Sequence, residues 1–195
     1  MTDLSFDEAR RLFTYRDGLI YWKPRRRHDF KSEKDFLAWN RKYPGTTAGA
    51  PDKRGYCSFA ITLDGVKKRY LVHRVVWSWH NGPAEDEVDH KDNNPSNNLI
   101  ENLRAATGSQ NKANRRTFKV TACSFNGVSY EADRRRWKAG IRTNGVSKTI
   151  GRFKCPTLAA VAYDREAYAA FGEFAVLNFP ALVLARLAKK QEARA

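Results

Sequence analysis

The residues with the clearest chemical capacity lie in one polar stretch. It reads Val88-Asp89-His90-Lys91-Asp92-Asn93-Asn94-Pro95-Ser96-Asn97-Asn98-Leu99-Ile100-Glu101-Asn102-Leu103-Arg104 and runs on to Ser109-Gln110-Asn111. Hydrolysis of a phosphodiester needs an activated water, an electrophile on the phosphate and neutralisation of the leaving oxygen. A neutral imidazole at His90, with an ordinary pKa of about 6.5, can take a proton from water. Asp89, joined by an amide oxygen such as that of Asn111, makes a hard oxygen set suited to Mg²⁺. The same residues have plainer uses. Asp-His can be a hydrogen-bonded turn pair, an Asn-rich loop can be turns with side-chain caps, and Asn102 can simply pin the loop backbone. The full spacing is what points to chemistry.

The elements that must position these groups follow from the pattern. A short apolar strand ends in Asp89-His90, a second runs around Leu103 to Ala106, and a helix starts near Ser109, giving a β-β-α order. Successive side chains on a strand face opposite ways, so the loop must twist to bring Asp89 and His90 to one phosphate. Upstream, Phe6 to Phe13 reads as a helix capped by Ser5, with Glu8 three residues on. Thr14 to Trp22 reads as a hairpin turning at Asp17-Gly18, followed by a basic loop, Lys23 to Arg27, and a helix over Ser32 to Tyr43. A second hairpin spans Tyr56 to Val72 with its turn at Asp64-Gly65. A buried helix, His73 to His80, is then ended by Asn81-Gly82-Pro83.

His73-Arg74-Val75-Val76, the Val88 to Asn94 run, the Asn97 to Arg104 run and Ser109-Gln110-Asn111 together resemble the HNH homing endonucleases of phages and bacteria, over Gly45 to Asn114. The resemblance implies a ββα-metal site. In it Asp89 is a metal ligand, His90 the general base, Asn102 the middle residue holding the loop and the histidine, and Asn111 the second ligand. It implies phosphate contact or packing for His73 and Arg74. Many HNH nucleases carry His at the last position. Asn111 removes that stronger donor, which argues for Mg²⁺ or Mn²⁺ and against zinc or nickel.

Downstream, in Arg134 to Arg142, a period of two puts Trp137, Ala139 and Ile141 on one face and Arg136, Lys138 and Arg142 on the other. Asn144-Gly145 is a hairpin turn. Val146 to Phe153 continues as a strand, with Ser147 and Thr149 alternating against Lys148 and Ile150, and Thr157 can cap a helix to about Phe171. Trp137 to Arg142, Ile150-Gly151-Arg152-Phe153, Ala162-Tyr163-Asp164 and Val176 to Pro180 resemble the Apetala-two (ethylene-response-factor type) DNA-binding domain over residues 126–180. The resemblance implies a three-stranded sheet laid in the major groove, with Arg142 the clearest reader and Arg134, Arg136, Lys138 and Thr149 further candidates. The segment Ser129 to Arg135 departs from the plant pattern, so no plant-type target follows.

Among the 195 residues, 36 Lys and Arg stand against 21 Asp and Glu, a formal charge of +15. Such an excess repels itself and calls for a polyanionic partner. No apolar run nears the ~20 residues of a membrane span, and the N-terminus lacks a secretory apolar stretch. Cys57, Cys123 and Cys155 form no CxxC pair, which fits reduced thiols in a bacterial or phage-infected cytoplasm. The expectation is an α+β protein with five parts. These are an N-terminal region (1–44), a ββα-metal nuclease domain (45–116), a linker (117–124), a three-stranded antiparallel sheet packed on one helix (125–180) and a tail helix (181–195). The expected function is a one-metal DNA endonuclease acting on double-stranded DNA, with no membrane or small-molecule substrate. The alternatives are a DNA-binding regulatory protein with an inactive nuclease domain and, from charge alone, an RNA-binding protein. An RNA binder would expose stacking aromatics on its strands, whereas Trp137 falls on the apolar face.

Overall fold

The computed structural model describes residues 3–114 and 123–192. The expected linker lies outside them except for its last two positions, as do the final three residues of the expected tail. The chain divides into two compact units, Met1–Ala106 and Thr107–Ala195. It is a mixed α+β protein whose strand pairings are all antiparallel among the described residues.

In the first unit, helix α1 (Phe6–Leu12) opens on a capping box. The Ser5 hydroxyl accepts from the Glu8 N–H at 3.2 Å, and the Glu8 carboxylate accepts from the Ser5 N–H at 3.4 Å. Strands β1 (Phe13–Arg16) and β2 (Leu19–Trp22) pair across Asp17-Gly18, whose φ values of 49° and 78° are the left-handed pair that a tight hairpin needs. Helix α2 (Glu33–Lys42) is capped by Ser32. Strands β3 (Ala50–Pro51), β4 (Cys57–Leu63) and β5 (Val66–Leu71) form a sheet in that order. Helix α3 (Val72–Asn81) follows without a break and stops at Gly82, where φ is 84°. Strands β6 (Glu87–His90) and β7 (Leu103–Ala106) form a separate hairpin.

One apolar core runs through this unit. Leu4, Leu12, Phe13 and Ile20 join Val72, Val75 and Val76 of α3 and Val88 and Leu103 of the β6–β7 hairpin. The N-terminal stretch from Leu4 to Trp22 therefore shares its core with the segment that carries Asp89 and His90. The basic loop at Lys23 to Arg27 turns one cation inward. The Arg25 guanidinium lies 4.6 Å from the Phe30 ring centre and donates to the Thr62 carbonyl at 2.9 Å.

The second unit opens with helix α4 (Gly108–Ala113), capped reciprocally by Thr107 and Gln110. Strands β8 (Val128–Glu131), β9 (Arg136–Thr143) and β10 (Val146–Phe153) form a sheet in the order β10-β9-β8. Helix α5 (Pro156–Phe171) packs on that sheet, and helix α6 (Pro180–Glu192) follows. Cys155, not Thr157, occupies the N-cap of α5, because Pro156 takes the first helical position, where a missing N–H costs nothing. Ala139 and Ile141 are buried on one sheet face, and Ala159, Ala160 and Ala167 of α5 are buried as well. A bulge between Thr149 and Gly151 interrupts the simple alternation expected along β10.

Asn178 and Phe179 meet Asp164. This buried carboxylate accepts from the Asn178 N–H at 2.8 Å, the Asn178 side chain at 2.9 Å and the Phe179 N–H at 2.7 Å. Asn178 in turn accepts from the Asn126 N–H at 2.7 Å. Gly127 has φ +71°, and a Cβ there would fall 1.9 Å from Tyr163 Cδ2, so no other residue fits. Among the described residues no helix is long and apolar enough to cross a membrane.

Candidate active site

The β6–β7 hairpin sets Asp89 opposite Arg104 and His90 opposite Leu103. Asp89 and His90 are each 5% exposed, although neighbours on a strand face opposite ways. Burial on both faces of the strand end explains this. The Asp89 carboxylate is bound on the Arg104 side: Nε donates to Oδ2 at 2.9 Å, and Nη2 lies 2.9 Å from the same oxygen.

His90 Nε2 lies 3.0 Å from Oδ1 of Asn98, itself buried at 3% exposure. An amide oxygen only accepts, so in this contact Nε2 is the donor. The His73 ring meets His90 edge-on at 4.9 Å, and Tyr56 lies 6.0 Å from His90 and 5.7 Å from His73. His73 Nδ1 is buried and has no hydrogen-bond partner among the described residues. Burial first, then the charges of His90 and Arg74, push its pKa from 6.5 to about 3. His73 is thus a neutral ring at ordinary pH, and it is 5% exposed. Arg74 is committed as well. Its Nε and Nη2 donate to the two oxygens of Asp3, each at 2.6 Å, and Nη1 donates to the Asp86 carbonyl at 2.9 Å.

Asn102 ties the loop into a closed shape. Its side-chain nitrogen donates to Asp92 Oδ1 at 2.9 Å and to the Asn97 carbonyl at 2.8 Å, while its oxygen accepts from the Asp92 N–H at 3.1 Å. Burial pushes the Asp92 carboxyl up, but bonds from the Asn94 N–H, Asn97 and Asn102 outweigh it and hold the pKa below its ordinary value. Asn93 accommodates the loop's left-handed residue at φ 62°. The loop also leans on the rest of the unit. Tyr15 Oη accepts from the Ile100 N–H at 3.2 Å, and Ser96 Oγ donates to the Gly55 carbonyl at 3.0 Å.

Asp89, His90 and Asn102 thus gather on one hairpin, whereas Asn111 lies on α4 in the second unit. Among the described residues no three His, Cys, Asp or Glu side chains cluster as a metal site. A carboxylate with amide oxygens, the donor chemistry of this loop, fits a hard cation rather than zinc. Two residues of the site escaped the sequence reading. Asn98 is indistinguishable by type from Asn93, Asn94 and Asn97, and Arg104 is placed against Asp89 only by the strand register.

In the second unit, the register puts Arg136, Lys138 and Arg142 on the sheet face opposite the buried Ala139 and Ile141. Thr149 is exposed opposite Gly140, and Arg134 is exposed beside Asp133 at 3.6 Å. Glu131 was not anticipated. It accepts from Arg152 at 2.7 Å and lies 3.6 Å from Lys138 Nζ, placing one anion among the cations.

Residues 70–113 match the family model for HNH endonucleases. Protein 3.8 of Escherichia phage T7 is 33% identical over 75 residues, covering 37% of this chain and 62% of that protein. An uncharacterized HNH endonuclease of Acanthamoeba polyphaga mimivirus is 36% identical over 96 residues, covering 49% of each. The matches thus span about half to three fifths of these relatives' lengths. The solved structure on DNA binding and cleavage by the HNH homing endonuclease I-HmuI is 28% identical, with a TM-score of 0.38, over 58% of this chain and 57% of that one. The β6–β7 hairpin, its asparagine-rich loop and the helices on either side are the part of the chain that is similar to the HNH endonucleases.

Proposed function

We propose that the chain is a metal-dependent endonuclease of the HNH type that hydrolyses phosphodiester bonds in double-stranded DNA, of a homing or phage-borne kind. The reading rests chiefly on the His90–Asn98 contact inside the segment that matches the HNH family. With Nε2 donating to Asn98, His90 takes a proton from water at Nδ1. The water oxygen bonds to phosphorus as the bond to the leaving sugar oxygen breaks. Asn102 keeps the loop, and through it Asn98 and His90, in position. Asp89 would supply an oxygen to Mg²⁺ or Mn²⁺, which when bound polarises the phosphate and neutralises the leaving oxygen. His73, which is buried, fills the wall behind His90, and the half-buried Arg74 ties α3 to Asp3.

The second unit is the DNA-holding module, built like an Apetala-two domain, with Arg136, Lys138 and Arg142 facing the duplex and Arg134 and Thr149 at its margins. Arg reads guanine in the major groove with two hydrogen bonds, which suits Arg142 to sequence choice. The test is nicking or linearisation of supercoiled plasmid with Mg²⁺, with Mn²⁺ and with chelator. Cleavage with either ion, absent with chelator and absent in Asp89→Ala, is the expected outcome. Firm DNA binding with no cleavage under any ion would instead establish a DNA-binding regulatory protein with an inactive nuclease domain.

A further inference from the structure

Asp89 and Arg104 form an ion pair that water barely reaches: the side chains are 6% and 10% exposed, and two guanidinium nitrogens lie 2.9 Å from one carboxylate oxygen. A carboxylate so buried is costly unless a cation neutralises it. Arg104 does this from the facing strand, directly opposite Asp89 in the register. The pairing draws on the carboxylate that, under the function proposed above, also serves a divalent ion. A guanidinium and a divalent ion a few ångströms apart repel each other, strongly so where water is excluded. Both cannot hold Asp89 at full strength.

We propose that Arg104 is the resident counter-ion of the metal site: it holds the Asp89 carboxylate in position in the metal-free chain, loosens its grip when the ion binds, and so sets the metal affinity. This rests on the reading of Asp89 as a ligand. Arg104 is a positioning residue here, and no contact with substrate is assigned to it. The guanidinium fits the role, since it keeps its charge and meets Oδ2 of Asp89 with two nitrogens.

The test is Mn²⁺ binding to the full chain, without DNA, for the wild type, Arg104→Gln, Arg104→Lys and Asp89→Asn. Arg104→Gln removes the charge at similar length and is expected to tighten Kd at least fivefold while lowering the melting temperature in chelator. Arg104→Lys keeps the charge and is expected to stay within about twofold of wild type. Unchanged or weaker binding in Arg104→Gln overturns the inference. Failure of the metal reading looks different: wild type and Asp89→Asn would then bind Mn²⁺ alike, or neither would bind. A measurement on the unmodified chain needs no folded variant. Titrating Mg²⁺ is expected to shift the Arg104 Nε–H resonance and speed its exchange with water, with Arg25 Nε–H unmoved as control. An Arg104 signal indifferent to saturating Mg²⁺ contradicts the proposal.

Discussion

At His73 the first unit holds a neutral imidazole whose pKa is pushed by burial to about 3. The unfolded chain binds this proton near pH 6.5 and the folded chain does not, so stability is full above about pH 6.5 and is lost as pH falls toward 3. The whole effect is about 4–5 kcal/mol, of which about 2 kcal/mol is gone by pH 5. Urea unfolding at about pH 7.5 and about pH 5 measures it. His73→Asn is expected to flatten the dependence, leaving the smaller contribution of His80, whose pKa burial also lowers. An equal pH slope in the variant would place the sensitivity elsewhere. At this scale the sequence conveyed residue type but not commitment. The His73-Arg74 pair looked as capable of touching phosphate as of packing. Only Asp3, 71 residues away in sequence, shows where the Arg74 charge goes. The separate expectations for Asp89, His90 and Asn102 came from spacing, whereas Asn98 and Arg104 needed the loop's path and the strand register.

Among the elements, the loop between β6 and β7 is buttressed by a turn far from it in sequence. Gly18 has φ +78°, and a Cβ there would lie 3.1 Å from Leu99 N and 3.2 Å from Asn98 C. Gly65 has the same φ in the second Asp-Gly turn with nothing within 4 Å, which makes it a matched control. Both Gly18→Ala and Gly65→Ala are expected to lose about 1 kcal/mol or somewhat more from the strained backbone. Only Gly18→Ala is expected to slow cleavage, by about tenfold or more, because it presses on Asn98 and tilts His90 out of line. Equal cleavage rates in the two variants at matched folded fraction would remove the turn from the site. Both Asp-Gly turns, the Ser5 capping box and the Asn144-Gly145 hairpin were readable because each is a local rule of a few residues. The start of α5 and the bulge in β10 were not. Proline at the first helical position displaced a good capping residue, and the extra residue in β10 is visible only against its partner strand.

For the molecule as a whole, the formal charge of +15 is its most legible property, and it points to the partner class more than to the fold. Composition did not convey that the stretch from Leu4 to Trp22 shares a core with the HNH-like segment, because Leu4, Phe13 and Ile20 meet Val75 and Val88 across long stretches of sequence. If the second unit holds DNA by its cationic face, changing Arg136, Lys138 and Arg142 together to Gln should make binding less sensitive to salt. The slope of log affinity against log salt should fall by about 0.9 for each phosphate these side chains neutralise, close to three units if each neutralises one. An unchanged slope would assign the binding to other cations. In the mechanism proposed, His90 performs the chemistry and does not serve to hold DNA. The most direct measurement is single-turnover cleavage of a duplex by wild type and His90→Ala, with duplex affinity measured in parallel in chelator. Removing the general base should cut the rate by about 10²–10⁴-fold while affinity stays within about twofold. Cleavage by His90→Ala at the wild-type rate would remove His90 from the mechanism.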